Sequence, residues 1–313
     1  MNHTHIAIGI DIGGSHISCG AVDLKINQLI PGTCFDSKVD NKASADDILN
    51  SWVGAIKRSI DIVGINQIAG IGFAMPGPFD YANGIGLFKG NNEKYINLYG
   101  VHVVSEIRTL LGISDHIPVR FINDATAFAI SEAWIGVGQG TSRLIALTLG
   151  TGFGSAFISD GIPVLEGDTV PEMGCVWHLP FGDSIADDYF STRWFEKSYL
   201  KQTGKNVNGV KEISELYDTD DVARKLFIEY GTNMGDFLAP WIKKFNAGQI
   251  VIGGNITGAF DKFGKYVLQS FANHQIKCKV SLSVLKENAA IIGSARLIDE
   301  DFFGKIEPLL TKM

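Results

Sequence analysis

Residues 8–23, IGIDIGGSHISCGAVD, have a close counterpart at residues 145–160, IALTLGTGFGSAFISD. Both stretches run from an apolar, β-branched segment through a glycine-rich bend into a second apolar segment, which is the pattern of a β-hairpin. At an offset of 137 residues the apolar alternation stays in phase, and Gly13 falls on Gly150. The repeat predicts two related lobes in a chain of 313 residues, a length that suits one large domain or two ordinary ones.

The remaining pattern predicts an α/β fold. In the first part we expect strand, strand, strand, helix, strand, helix, strand, with the third strand near Leu29–Phe35 and the second helix near Val103–Leu111. Apolar residues at helical spacing predict a helical insertion at 184–247, whose apolar face we interpret as core. The expected boundaries are an N-terminal lobe at 1–118, a C-terminal lobe at 119–293 and a C-terminal helix at 294–313 that packs back on the first lobe.

Composition narrows the possible partners. Apolar residues make up 45% and charged residues 19% of the chain, as in a folded globular protein. The net charge is -7 and no Lys/Arg stripe is present, which argues against nucleic acid. No apolar run approaches the ~20 residues that cross a bilayer, and the first residues lack a signal-peptide pattern, so we expect no membrane partner and a cytoplasmic location. The four cysteines form no CxxC pair that would indicate a zinc ribbon or a redox centre.

Three predicted strands end in glycine-rich turns. Glycine lets backbone N–H groups approach a ligand without an intervening Cβ, which suits phosphate oxygens. A hairpin bend also requires glycine, but three such turns, two of them related by the repeat, favour a phosphate site. None fits the Walker pattern GxxxxGK[ST]. The residues are Gly13, Gly14 and Ser15, then Gly150, Thr151, Gly152 and Gly154, then Gly253 and Gly254, with Ser15 and Thr151 as hydroxyl donors.

Two carboxylates lie at or near the ends of predicted strands. Asp11, in the first bend, either stabilises the turn or holds the Mg²⁺ that accompanies a nucleotide triphosphate. Asp124 follows a strand and starts a helix, so either it or Asn123 would serve as an N-cap. Ligands gather at the carboxyl ends of strands in α/β folds, and an Asp there can accept the proton of a hydroxyl that attacks phosphorus.

These residues together resemble the ROK family of sugar kinases and sugar-responsive repressors, within the actin-like ATPase superfamily. The resemblance implies a duplicated, ribonuclease-H-like fold with two lobes, ATP in the cleft between them, Mg²⁺ organised by Asp11 through water, and a homodimer. DIGGS resembles the first phosphate motif, usually DxGGT, and LTLGTGFGSAFI resembles the second. IVIGGNI resembles the segment that lies against the adenosine, at Gly253 and Gly254.

The resemblance also implies a sugar site. IND matches the family's Asn-Asp pair, which makes Asp124 the catalytic base and Asn123 a partner of a sugar hydroxyl. AMPGP resembles the family's PG loop, at Gly77. KGNNEKYINLYG resembles the next sugar-contacting segment, with either Asn91 or Asn92 as the contact.

The chain departs from the family after the second phosphate motif. The family writes GExGH, whose Glu and His bind the sugar, where this chain has PEMGCVWH. Glu172 matches, but Cys175 stands at the His position, and His178 is the alternative contact. The family's zinc motif CxCGxxGC is missing, so we expect no structural zinc. The change from His to Cys puts the usual glucose preference in doubt, because it removes a hydrogen-bonding ring from the pocket.

The sequence therefore predicts a glucokinase-like, ATP-dependent kinase of a hexose or an amino sugar. A sugar-binding regulator and a catalytically silent paralogue are the alternatives. The family's repressors carry an N-terminal helix-turn-helix, whereas here the first phosphate strand begins within six residues of Met1, which favours the kinase. The sugar, the hydroxyl that is phosphorylated, the physiological phosphoryl donor and the oligomeric state stay open.

Overall fold

The computed structural model describes residues 4–89 and 94–313. The chain divides into two compact units, of which unit 1 is Met1–Ser131 with Glu287–Met313 and unit 2 is Glu132–Lys286. The expected boundaries, 118/119 and 293/294, differ from this division, because the strand that follows residue 118 pairs within the sheet of unit 1. None of the described helices combines the length and apolarity that a membrane crossing requires.

The strands in chain order are β1 (Ile6–Ile12), β2 (His16–Asp23), β3 (Gln28–Leu29), β4 (Phe35–Lys38), β5 (Ile68–Met75), β6 (Phe79–Asp80), β7 (Ile85–Gly86), β8 (Val119–Asn123), β9 (Arg143–Leu149), β10 (Phe153–Ser159), β11 (Ile162–Pro163), β12 (Pro180–Phe181), β13 (Ser184–Ile185), β14 (Gln249–Gly253) and β15 (Lys279–Leu282). The helices are α1 (Ala45–Val63), α2 (Val103–Leu111), α3 (Asp124–Trp134), α4 (Ala186–Tyr189), α5 (Thr192–Thr203), α6 (Gly209–Glu215), α7 (Asp221–Phe245), α8 (Phe260–Asn273), α9 (Asn288–Ala295) and α10 (Glu300–Ile306).

The sheet of unit 1 has the strand order β3-β2-β1-β5-β8, with β4 also paired to β2. β1 and β2 are antiparallel, whereas β1, β5 and β8 run parallel. The predicted helix at Val103–Leu111 is confirmed as α2. The single third strand predicted near Leu29–Phe35 is wrong, because Pro31 and Gly32, the latter with a φ of 79°, break it into β3 and β4.

Unit 2 repeats this topology with the strand order β11-β10-β9-β14-β15. β9 and β10 are antiparallel, and β9, β14 and β15 are parallel. The offset of 137 holds for β1 and β9, but the second strands align at 136, since Ile12 pairs with Ile17 and Leu149 pairs with Phe153. The first bend is therefore one residue longer than the second. The duplication predicted from the sequence is confirmed.

α9 packs against a row of glycines in the first sheet, formed by Gly20, Gly9 and Gly72. Gly9 pairs with Gly20 on one side and with Gly72 on the other. A Cβ built on Gly9 would lie 1.9 Å from the carbonyl oxygen of Ile291, and one on Gly72 would lie 1.9 Å from that of Ser294. Backbone therefore packs directly on backbone here. The C-terminal segment belongs to unit 1 as expected, but the single helix predicted at 294–313 is wrong, because the chain forms α9 from Asn288 and a separate α10 capped by Asp299.

The helical insertion forms much of the core of unit 2. The face predicted for α7 is buried at Leu226, Phe227, Met234, Leu238 and Phe245. The side chain of Asp220 caps this helix by accepting hydrogen bonds from the N–H groups of Val222 and Ala223. Interpreting the apolar stripe as core is confirmed, because its residues join one buried cluster with the strands of the second sheet.

Candidate active site

Asp124 begins α3 directly after β8, and its carboxyl is half-buried. Its Oδ1 accepts hydrogen bonds from the Ala125 N–H at 2.8 Å and from Asn123 Nδ2 at 3.0 Å. Asn123 Oδ1 accepts from the Thr126 N–H at 3.2 Å, so Asn123 is the side chain that caps the helix. No other residue among those described donates a hydrogen bond to Asp124 Oδ2. One oxygen of Asp124 is therefore fixed and the other is available to a ligand.

Asp11 lies in β1 and not in the bend as predicted, because it pairs with Ser18 of β2, and its carboxyl is partly buried. Burial first, and the charge of Asp124 second, raise the pKa of Asp11 to about 7. Burial also raises the pKa of Asp124, against the Ala125 N–H and the charge of Lys94, which lower it. Because the charge of Asp124 opposes the ionisation of Asp11, a cation beside them would stabilise the ionised form of Asp11. The described residues contain no cluster of three or more metal-binding side chains, so such a cation would complete its shell with water or ligand oxygens.

The first glycine turn, Gly13–Ser15, has all three carbonyl oxygens tied back to the protein. Gly13 O accepts from the Tyr95 hydroxyl at 2.6 Å, Gly14 O accepts from Asn41 Nδ2, and Ser15 O accepts from the Val39 N–H at 2.9 Å. Within the described part of the chain, the N–H groups of Gly14 and Ser15 have no acceptor. The turn therefore presents unpaired donors, which is what an anion requires.

The second turn, Gly150–Gly152, follows the same rule. Gly150 O accepts from the Thr192 N–H at 2.9 Å and from its hydroxyl at 3.0 Å, and Thr151 O accepts from Arg193 at 2.7 Å. Gly152 O accepts from the Gly150 N–H at 3.0 Å. The Thr151 and Gly152 N–H groups have no acceptor in the described ranges. The predicted Gly154 lies beyond the turn, inside β10, where it pairs with Thr148.

An ion pair supports this second turn. Arg193 contacts Asp187 at 2.6 Å, and Asp187 Oδ1 accepts from the Phe153 N–H, also at 2.6 Å. The sequence reasoning missed Arg193, Asp187 and Tyr95. Each acts on a turn that is distant along the chain, and no local pattern marks such a contact.

The third glycine pair ends β14. Gly254 has a φ of 87°, and a Cβ on it would lie 2.3 Å from the carbonyl oxygen of Leu149. Glycine is thus required at this position by the close approach of two backbones. β14 takes the place in the second sheet that β5 takes in the first, so Gly253 is the counterpart of Ala74.

The residues expected around a sugar fall in both units. In unit 1, Gly77 follows β5, and the Tyr81 hydroxyl lies 3.5 Å from the position that a Gly77 Cβ would occupy. Asn91 and Asn92 lie outside the described residues. In unit 2, Glu172 is exposed at the start of a short 3₁₀ turn.

Cys175 and His178 lie side by side, with 3.7 Å between Sγ and Nδ1. Burial raises the pKa of Cys175 to about 11, so its thiol is neutral at physiological pH. The chain between them turns, with the Leu179 N–H bonded to Val176 O, and this turn brings the two side chains together. Both therefore share one location, and either can face a ligand there.

Asp11→Asn should stabilise the metal-free protein at about pH 8 and have a smaller effect near pH 5. The folded carboxyl has a pKa of about 7 rather than 3.8, so ionising it opposes folding. This opposition is absent below the unfolded pKa, grows as the pH rises toward 7, and is complete above it. We expect the free energy of unfolding to rise by about 2 to 4 kcal/mol at the higher pH.

Urea unfolding in EDTA at the two pH values measures this effect. Asp115→Asn is the control, because the Asp115 side chain is 93% exposed. An Asp11→Asn variant that is less stable than wild type at pH 8 would contradict the raised pKa.

Comparison with known proteins identifies the family of the chain. Residues 7–301 match the model of the ROK family. The chain is 27% identical to a glucokinase from Thermotoga maritima, over 95% of this chain and 98% of the relative, and 24% identical to an N-acetyl-D-glucosamine kinase from Photobacterium profundum, over 92% and 96%. A ROK family glucokinase from Streptomyces griseus, solved with glucose and AMPPNP, superposes with a TM-score of 0.72 at 23% identity, covering 93% of this chain and 98% of that one. The match in structure confirms the predicted α/β fold, and the chain itself shows two units with related sheets.

Proposed function

Because the chain belongs to the ROK family, we propose that it is an ATP-dependent carbohydrate kinase that transfers a phosphoryl group to a sugar hydroxyl. The observation that carries this proposal is Asp124, whose Oδ2 is available at the end of a parallel strand in the same unit as an anion-binding turn. The sugar-kinase names of the relatives support the reaction class.

In this proposal Asp124 is the general base. Asn123 caps α3 and also donates to Asp124 Oδ1, which fixes the orientation of the carboxyl. Burial raises the pKa of Asp124 toward the pH at which it works, so the carboxylate is a stronger proton acceptor than an exposed Asp. As the sugar hydroxyl attacks phosphorus, its proton passes to Asp124.

The two glycine turns are proposed to bind phosphate oxygens of ATP. The unpaired N–H groups of Gly14, Ser15, Thr151 and Gly152 would donate to them, and the hydroxyls of Ser15 and Thr151 add two further donors. Because the carbonyl oxygens are already held, the amides need no rearrangement as charge develops on the phosphoryl oxygens. Gly253 and Gly254 are proposed to lie against the adenosine.

The carboxyls of Asp11 and Asp124 fit Mg²⁺, which Asp11 would hold through water. When bound, the ion neutralises charge on the phosphates. Burial and the charge of Asp124 oppose the ionisation of Asp11, and a bound cation would offset both effects.

The sugar is proposed to contact Gly77, Asn123, Glu172 and either Asn91 or Asn92. His178 lies beside Cys175, the position at which the family carries its His, and can supply the missing ring. Cys175 itself offers only a weak donor. We therefore expect a substrate preference that differs from that of a glucose-specific enzyme.

ADP release with a panel of hexoses, N-acetylhexosamines and ketoses tests the proposal. We expect ATP- and Mg²⁺-dependent turnover with at least one class and far slower ADP release with ATP alone, because water is then the only nucleophile and no sugar holds a hydroxyl beside Asp124. Calorimetry with Mg·AMPPNP gives nucleotide binding independently of turnover. Intact nucleotide binding with a flat response across the panel would favour the regulatory or silent alternative.

Arg193→Met should raise the KM for ATP about tenfold and leave the KM for the sugar within about twofold. The variant removes the donor that holds Thr151 O and the cation that pairs with Asp187, so the amides of the second turn lose their fixed orientation. Arg193→Lys should restore part of the loss, because it keeps the charge but not the planar fork. Lys197→Met, an exposed change on the same helix, is the control. Equal rises in both KM values would instead indicate general disorder of unit 2.

A further inference from the structure

Tyr95 lies in KGNNEKYINLYG, where the family resemblance implies a ligand contact only for Asn91 or Asn92. Its side chain is fully buried, and its ring lies 5.6 Å from Trp52 and 5.7 Å from Phe88. Its N–H donates to Asn41 O at 3.0 Å, and its hydroxyl donates to Gly13 O at 2.6 Å. The backbone at Tyr95 is thereby fixed relative to the first glycine turn, and so is the attachment point of the preceding residue, Lys94.

The Lys94 side chain lies over that turn. Its Cε and Nζ are each 3.0 Å from the position that a Cβ on Gly14 would occupy. Glycine at this position therefore makes room for an ammonium group beside the unpaired N–H groups of Gly14 and Ser15. Lys94 is exposed, and no ion pair joins it to a carboxylate in residues 4–89 and 94–313.

The charge of Lys94 also reaches the proposed base, since it lowers the pKa of Asp124. One cation thus lies near both the anion-binding turn and the carboxylate that accepts the proton. Neutralising Asp124 alone does not explain why the ammonium lies over Gly14. An ammonium that binds a phosphate held at this turn explains both its place over Gly14 and its closeness to Asp124.

We propose that Lys94 is a catalytic residue that binds the phosphoryl group during its transfer from ATP to the sugar. The inference rests on the proposed kinase function. The sugar oxygen forms a bond to the γ-phosphorus, the bond from that phosphorus to the bridging oxygen breaks, and ADP leaves with its electron pair. The hydroxyl proton goes to Asp124, while Lys94 stays protonated and donates to non-bridging phosphoryl oxygens. A charge-assisted contact of this kind is stronger in the transition state, where charge on those oxygens rises.

Lys94→Met, Lys94→Arg and the control Lys57→Met test this role. Lys57 lies on the exposed side of α1. We expect Lys94→Met to lower kcat by about 100- to 1000-fold with a sugar KM within about threefold of wild type. Lys94→Arg should recover at least about tenfold of that loss, and Lys57→Met should behave as wild type. The acidic limb of the pH profile should move to higher pH in Lys94→Met, because the positive charge no longer favours the Asp124 carboxylate.

Calorimetric titration separates this inference from the kinase function. Lys94→Met should bind Mg·AMPPNP at least about fivefold more weakly than wild type does and bind Mg·ADP almost unchanged, since only the former carries a γ-phosphoryl group. Absence of turnover in wild type would overturn the proposed function, and the ratio of the two affinities would still decide whether Lys94 contacts the γ-phosphoryl group. An unchanged ratio, or a kcat within about threefold of wild type, would overturn the inference. Circular dichroism of each variant confirms folding, and Lys94→Gln serves as a second substitution if the methionine variant is unstable.

Discussion

Asp124→Asn should lower kcat by about 100- to 10,000-fold while the KM for ATP and the affinity for sugar stay close to wild type. The amide of Asn can keep its oxygen at the Oδ1 position, where the Ala125 N–H and Asn123 Nδ2 donate to it. The substitution therefore changes only the atom without a fixed partner, from a proton acceptor to an NH₂ group. Loss of rate without loss of binding is the signature of a group that acts in the transition state.

A coupled ADP assay measures kcat, and calorimetry with the best sugar of the panel measures binding. Folding should not suffer, because burial raises the pKa of Asp124 and a neutral side chain avoids that desolvation. Asp115→Asn, an exposed change in the same unit, is the control. Turnover within about threefold of wild type would remove Asp124 from the role of base.

Gly72→Val should prevent unit 1 from folding. Even the first carbon of the new side chain would lie 1.9 Å from Ser294 O. No rotamer moves that carbon, and its partner is a backbone atom, so side-chain rotation cannot relieve the contact. Either β5 or α9 would have to move. We expect a loss of more than about 4 kcal/mol, a large part of the stability of an ordinary domain.

Gly54→Ala is the matched substitution in the opposite direction. Gly54 is exposed in the interior of α1, and a Cβ there meets nothing within 4 Å. The variant should be more stable than wild type by about 0.5 to 1 kcal/mol, because alanine loses less backbone freedom in a helix. Soluble yield and urea unfolding give both values. Wild-type stability in Gly72→Val would show that α9 does not lie on the glycine row.

The duplicated fold could be predicted because both copies keep the same local pattern. A strand, a glycine turn and a second strand are encoded within about sixteen residues, and the repeat at 145–160 confirms the interpretation of 8–23. The shift from an offset of 137 to 136 could not be predicted, because four consecutive positions of each second strand are buried, so the apolar residues overlap at either offset. The assignment of β8 to the first sheet was missed because parallel pairing leaves no local signal.

The candidate site was also predictable only in part. Asn123 and Asp124 are adjacent in sequence, so their position at a strand end is visible in the sequence. The sequence does not show which of the two residues caps α3, because the cap depends on side-chain orientation. Tyr95 contacts Gly13 across 82 residues and Arg193 contacts Thr151 across 42, so only the folded chain brings these pairs together.

The packing of α9 on the glycine row affects the order in which the two units can fold during synthesis. Unit 2 is continuous in sequence and is complete once residue 286 has left the ribosome, whereas unit 1 still lacks the helix that covers its sheet. During translation the first 131 residues therefore wait with an uncovered apolar face for the residues from 287 onward. Unit 1 is therefore synthesised first but completed last, and its uncovered sheet is the surface that a chaperone would shield.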